Sequence, residues 1–150
     1  MKRLALFAAI AAGAGAAGSF VHPFGNLRGD ARGPILQGAH ADSATLKIIE
    51  RACQNCHSEK TEWPWYSRVA PGSWLLERDV SQARGQYNLS RWAGYGPERQ
   101  ATILSAMGVA ARTGEMPPSH YILLHPEAKL SSQERQRIYE WSRTERRLLR

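Results

Sequence analysis

The sequence predicts an all-α fold, and three observations carry that prediction. Apolar residues recur at helical spacing in stretches near residues 42–53, 71–82, 97–113 and 131–148. Prolines and glycines punctuate the chain between them, and no βαβ pattern is present. The third observation is Cys53-Gln54-Asn55-Cys56-His57, two cysteines three apart with a histidine directly after the second.

That spacing is the pattern of c-type haem attachment. Positions i and i+3 share one face of a helix, so both sulfurs can form thioethers to the two vinyl groups on one edge of a porphyrin. His57 is then carried to the face of the ring, where its imidazole can ligate the iron. Two other chemistries use paired cysteines. Zinc needs about four ligands, and the chain has only 2 cysteines. A thioredoxin-like dithiol belongs beside a βαβ unit. The motif therefore predicts one haem, attached by Cys53 and Cys56, with His57 as proximal ligand.

A chain of 150 residues allows one domain. A haem would add a large apolar surface to its modest core. The formal charge is +7, from 20 Lys and Arg against 13 Asp and Glu, and the basic residues are spread rather than clustered. That balance suits an acidic protein partner or an anionic membrane surface. It does not suit nucleic acid, because no recognised motif and no basic cluster interleaved with aromatics is present.

Residues 1–18 read as a signal peptide or an N-terminal membrane anchor. Lys2 and Arg3 precede an uncharged, Ala- and Gly-rich apolar run with small-residue cleavage sites. Both alternatives place the domain outside the cytoplasm. Residues 19–41 carry Pro23, Pro34 and several glycines without periodicity, and predict an extended linker or an arm laid on the domain. His22 and His40 are expected there as exposed linker side chains. The haem-binding domain is expected over 42–150.

Asp42 or Ser43 caps the first domain helix, with Leu46, Ile49 and Cys53 along one side. Trp63, Trp65, Tyr66 and Trp74 follow the motif closely. Pro64 and Pro71 should keep the segment between them non-helical. These aromatics either wall the porphyrin, with N–H or O–H groups reaching a propionate, or serve as ordinary core. A second helix opens at Pro71 or Gly72 and runs to about Gln82. Residues 87–96 read as loop. Pro97 stands in the first turn of a third helix, which Gly114 ends.

Glu115-Met116-Pro117-Pro118 is the second informative stretch. The two prolines after Met116 reduce the entropy of holding its sulfur in place, which suits a distal iron ligand. A thioether opposite His57 would raise the reduction potential. Met107 falls in a helical apolar row and reads as core. His120 and His125 are the rival ligands. The last helix starts with the Ser131/Glu134 capping box and carries Ile138, Trp141 and Leu148 on one stripe, flanked by arginines.

The motif with Ser58, then Thr61-Glu62-Trp63-Pro64-Trp65-Tyr66-Ser67, Val69-Ala70-Pro71 and Ser73-Trp74-Leu75, resembles the bacterial haem-binding domain family of small exported c-type cytochromes. Gly114-Glu115-Met116-Pro117-Pro118, the 121–126 stretch and Leu130-Ser131 resemble it as well. The resemblance covers about residues 20–145. It implies an all-α, cytochrome c-like helical domain packed around one haem, and its fusions to cytochrome c or di-haem peroxidase modules imply a redox partner protein.

The function expected is one-electron transfer in the periplasm, either soluble or anchored to the inner membrane by the N-terminal segment. His57 and Met116 are the expected iron ligands, Trp63, Trp65 and Tyr66 the expected aromatic contacts of the haem. Two axial ligands would leave no iron position for substrate, so an electron carrier is favoured over an enzyme. A peroxidase-like enzyme, with His120 or His125 as acid–base group, and a haem-based sensor or accessory module of a larger redox complex stay open.

Overall fold

The computed structural model describes residues 2–29 and 33–149. Residues 1, 30–32 and 150, which fall within the expected leader, arm and domain, lie outside the described residues. Seven α-helices and three short 3-10 turns occur among the described residues, with no strand. The all-α expectation is met.

Helix α1 spans Lys2–Gly18 and buries none of its residues. Among the described residues no helix is long and apolar enough to cross a membrane. The end of α1 is tied to the domain by polar contacts. Trp74 Nε1 donates to the carbonyls of Gly18 and Val21 at 3.2 and 2.8 Å, and Ala70 N donates to Ser19 Oγ at 3.0 Å.

The arm that follows is docked rather than loose. Ile35 and Leu36 are buried in the core, and Leu36 N donates to the Leu89 carbonyl at 3.0 Å. His22 and His40 are exposed, as expected, yet each also makes a contact with the domain. His22 Nδ1 lies 2.6 Å from Oε1 of Glu77, a residue only 1% exposed. The His40 backbone N–H donates to Oε1 of Glu145, also buried, at 3.1 Å. A buried carboxylate without a partner is costly, so each histidine has a structural task that its place in a Gly-rich stretch does not reveal.

Helix α2 is Ser43–Ala52, with Asp42 as N-cap accepting from the backbone of Ala44 and Thr45. Helix α3 is the short turn Gln54–His57. Helix α4 runs Gly72–Gln86, one turn beyond the expected end near Gln82. Its last turn buries Ala83 and leads into Tyr87, and that packing carries the helix through Gly85 despite the roughly 1 kcal/mol helix cost of glycine. Helix α5 spans Pro97–Thr113, and Gly114 closes it at φ 79°. Helix α6 is Ser119–Leu124, and α7 is Ser132–Leu148 with the Ser131/Glu134 capping box formed.

The 3-10 turns fall where loop was expected. Trp65–Arg68 forms one, with Pro64 just outside it, so the segment expected to be non-helical holds a helical turn. Leu89–Gly94 forms another and drives Trp92 fully into the core.

Helices α5 and α7 make the most extensive helix pair. Gly108 permits it: a Cβ there would stand 2.1 Å from Ser142 Oγ and 3.1 Å from Ser142 Cβ. Ile103, Leu104 and Ile138 fill the seam, joined by Ile49 of α2 and by Trp92. Each such aliphatic side chain contributes about 1.5–3 kcal/mol on full burial. The expected stripe on α7 ends early, because Leu148 is exposed while Glu145 is buried.

Candidate functional site

The motif sits at a break between two helices. Cys53 ends α2 and precedes α3, with φ −122° and ψ −31°. The two sulfurs therefore come from a junction and a single helical turn, closed by a hydrogen bond from His57 N to the Cys53 carbonyl at 3.0 Å. Side chains lock the chain beyond it. Ser58 Oγ donates to the Gln54 carbonyl, Thr61 Oγ1 donates to the Asn55 carbonyl, and Arg84 Nε donates to the Ser58 carbonyl. Asn55, between the two cysteines, donates from Nδ2 to Tyr121 Oη at 3.0 Å.

His57 is only 5% exposed. Its ring stacks on Tyr87 at 4.0 Å between centroids and 9° between planes. Nδ1 faces the Tyr87 carbonyl at 3.4 Å. With Nδ1–H turned to a backbone carbonyl, Nε2 is left as the ring atom free to ligate a metal. Burial holds the imidazole pKa below its ordinary value, against a smaller opposing pull from the Tyr87 and Ala83 carbonyls. The neutral form, the one that ligates, is thereby favoured.

The cysteines are not poised as redox thiolates. Burial pushes Cys53 up to about 12, with neighbouring Cys56 adding to the rise. Burial and then the Asp79 carboxylate push Cys56 up to about 11, partly offset by Arg84. A reactive dithiol requires the opposite shift. Among the described residues no group of three or more His, Cys, Asp or Glu is placed to hold a metal ion on its own.

Cys53, Cys56, His57 and Met116 line one cavity of about 260 Å³. One wall is α3 with Leu76, Ala83 and Tyr87 from α4 and its end. Another is Met107, Ala110 and Ala111 of α5, continued by Met116, Pro117 and Pro118. Met116 is held to α5 through a hydrogen bond from its N–H to the Ala110 carbonyl at 3.2 Å. Arg78, Asp79, Gln82 and Gln86 of α4, with His120, form a polar border, and Gln82, Gln86 and His120 are exposed there. Apolar walls, two thiols, one neutral imidazole, one thioether and a polar, open border are a donor set that fits a haem.

The structure does not bring every expected residue to this cavity. Trp63, Trp65 and Tyr66, expected either to wall the porphyrin or to serve as core, are not among its lining residues. Their 3-10 turn packs on α4 instead. Trp65 is 79% exposed, Trp63 lies under the Arg28 guanidinium at 4.7 Å, and Tyr66 Oη lies 2.6 Å from His125 Nε2. His125 also stays outside, its two ring nitrogens taken by Tyr66 and Glu127. His120 does line the border, with Nε2 2.9 Å from Asp79 Oδ2. Met107, buried in the core, contributes to the wall as well. Tyr87, Tyr121 and Asn55 were not singled out from the sequence. Their roles are contacts across long stretches of chain, and no local pattern announces them.

An all-α domain whose cavity gathers these groups defines a haem protein. The family model described as a haem-binding domain matches residues 17–144, and the chain belongs to that family. No curated protein and no solved structure matches it.

Proposed function

We propose that the chain carries one haem c, attached through Cys53 and Cys56, and moves single electrons in the periplasm or at the outer face of the inner membrane. The observation that carries the reading is the lining of one cavity by Cys53, Cys56, His57 and Met116 together. A bound haem supplies a one-electron couple at its iron. The chain's own residues hold and tune it. Cys53 and Cys56 fix one edge, and His57 offers Nε2 while the Tyr87 carbonyl and ring hold its orientation. Met116 offers a thioether from a proline-bounded loop, and the apolar walls exclude water. The N-terminal segment serves as export signal or anchor. The net positive charge suits an acidic redox partner.

A second reading draws on one observation. His120, paired with Asp79, borders the cavity and would be the acid–base group of a peroxidase-like enzyme if Met116 left the iron open. A sensor or accessory role would also require that open position or a docked complex. The optical spectrum of the purified holoprotein, oxidised and reduced, with and without carbon monoxide, separates these readings. A low-spin spectrum with the ferric Met-ligation band and no response to carbon monoxide is expected. A high-spin spectrum or rapid carbon monoxide binding overturns the carrier.

A further inference from the structure

We propose that Tyr121, His125, Tyr66 and Trp65 form a route along which one electron passes between the cavity and a redox partner at the exposed Trp65 indole. The proposal rests on the electron-transfer reading and adds where the electron leaves.

The route is continuous from cavity to surface. Tyr121 lines the cavity and is tied through its hydroxyl to Asn55, inside the cysteine motif. Its ring stacks on His125 at 4.4 Å and 21°. His125 Nε2 lies 2.6 Å from Tyr66 Oη, and the two rings are 6.1 Å apart. Tyr66 meets Trp65 edge to face at 6.0 Å and 85°. Electron tunnelling weakens steeply across empty gaps, and stacked rings and short hydrogen bonds replace those gaps with coupled orbitals. The other aromatics do not make such a path. Tyr87 stacks on His57 but is buried, Trp92 is buried, and Trp63 lies under Arg28.

The endpoint is unusual as well. Trp65 is 79% exposed, and Leu123, which shortly precedes His125, is 81% exposed. Leu124 and Val69 are exposed too. Large exposed apolar side chains are a feature of transient protein contacts. The step balances simply. A bound haem would give up one electron, and the oxidised centre of a one-electron acceptor protein would take it. No bond forms or breaks, Tyr66 keeps its proton, and no residue of the route changes oxidation state.

The test attaches a photo-triggered ruthenium polypyridyl complex to the holoprotein at Val69→Cys, at the end of the Trp65–Arg68 turn, and at Thr102→Cys on α5 as a control. Electron transfer between label and haem is timed in each. In a Tyr66→Leu background the rate from position 69 should fall several-fold, with the rate from position 102, the spectrum and the reduction potential as in the parent. Tyr66→Phe keeps the ring but removes the hydrogen bond, and should give a smaller fall. It decides the matter alone if Tyr66→Leu does not fold. Unchanged rates from position 69 in the variants, or an equal fall from position 102, overturn the route and leave the carrier reading standing. An open, carbon monoxide-binding iron in the parent protein overturns the carrier reading, and the route with it.

Discussion

Met116 stands at the end of a chain of causes that begins with two prolines. Pro117 and Pro118 prevent α5 from resuming, and the Met116 N–H to Ala110 carbonyl bond holds the residue beside the cavity. Met116→Ala should open the iron to carbon monoxide and lower the reduction potential by on the order of 0.1 V, a fraction of the ~0.8 V span that axial ligands command. Redox titration and carbon monoxide difference spectra check both outcomes. At this scale the sequence was most legible where chemistry demands a fixed spacing, as in Cys53, Cys56 and His57. It was least legible for the aromatics. Trp63, Trp65 and Tyr66 follow the motif closely in sequence, yet their turn packs on α4, and chain proximity did not carry them to the cavity. Tyr87 reached it from a distant segment without any local mark, and Tyr121 was marked only as part of the 121–126 stretch.

Among the elements, caps and breakers were read well because their causes are local. Asp42, Pro97, Gly114 and the Ser131/Glu134 box all sit at the helix ends that their chemistry sets. The Asp42 carboxyl is held below its ordinary value of 3.8, chiefly by the backbone hydrogen bond from Thr45. A carboxyl with a lowered folded-state pKa stabilises the fold above its unfolded value, and that contribution is lost as pH falls through the folded one. Asp42→Ala should therefore lower Tm at neutral pH, and the gap from the parent should close as pH drops below 3.8. Thermal melts across that range test it. The α5/α7 seam was not legible, since Gly108 in an apolar row says nothing about Ser142 in another helix. Gly108→Val should cost about 1–3 kcal/mol by overpacking, or roughly 2–4 °C of Tm per kcal/mol in a chain of this size.

For the whole molecule, the question is what fills the middle. The core cluster of Ile49, Leu104, Met107, Trp92 and Ile138 lies beside a cavity that shares Met107, Ala111 and Leu130 with it. The proposed haem would complete that core. Cys53→Ala with Cys56→Ala should remove covalent haem and leave a chain without cooperative melting. Circular dichroism and the retention of haem after denaturation check this. A well-folded, helical, haem-free double variant would show that the core closes without the group. The arm belongs to this scale too. Its glycines left open a linker or an arm laid on the domain, and Ile35, Leu36 and the His22–Glu77 contact make it the arm.

The distance along the chain between His57 and Met116 has a consequence for the order of assembly. The first wall of the cavity is made early, by the turn that carries both sulfurs. The second comes from α5 and Met116, much later in the chain. Bringing distant segments together costs chain entropy before their contacts repay it. On its cavity side, the later wall of an empty chain faces no partner. A haem fixed to Cys53 and Cys56, as proposed, would give it one and would act as a template for the second half of the chain. Slow or incomplete maturation should then strand molecules with the early helices formed and the later ones still searching.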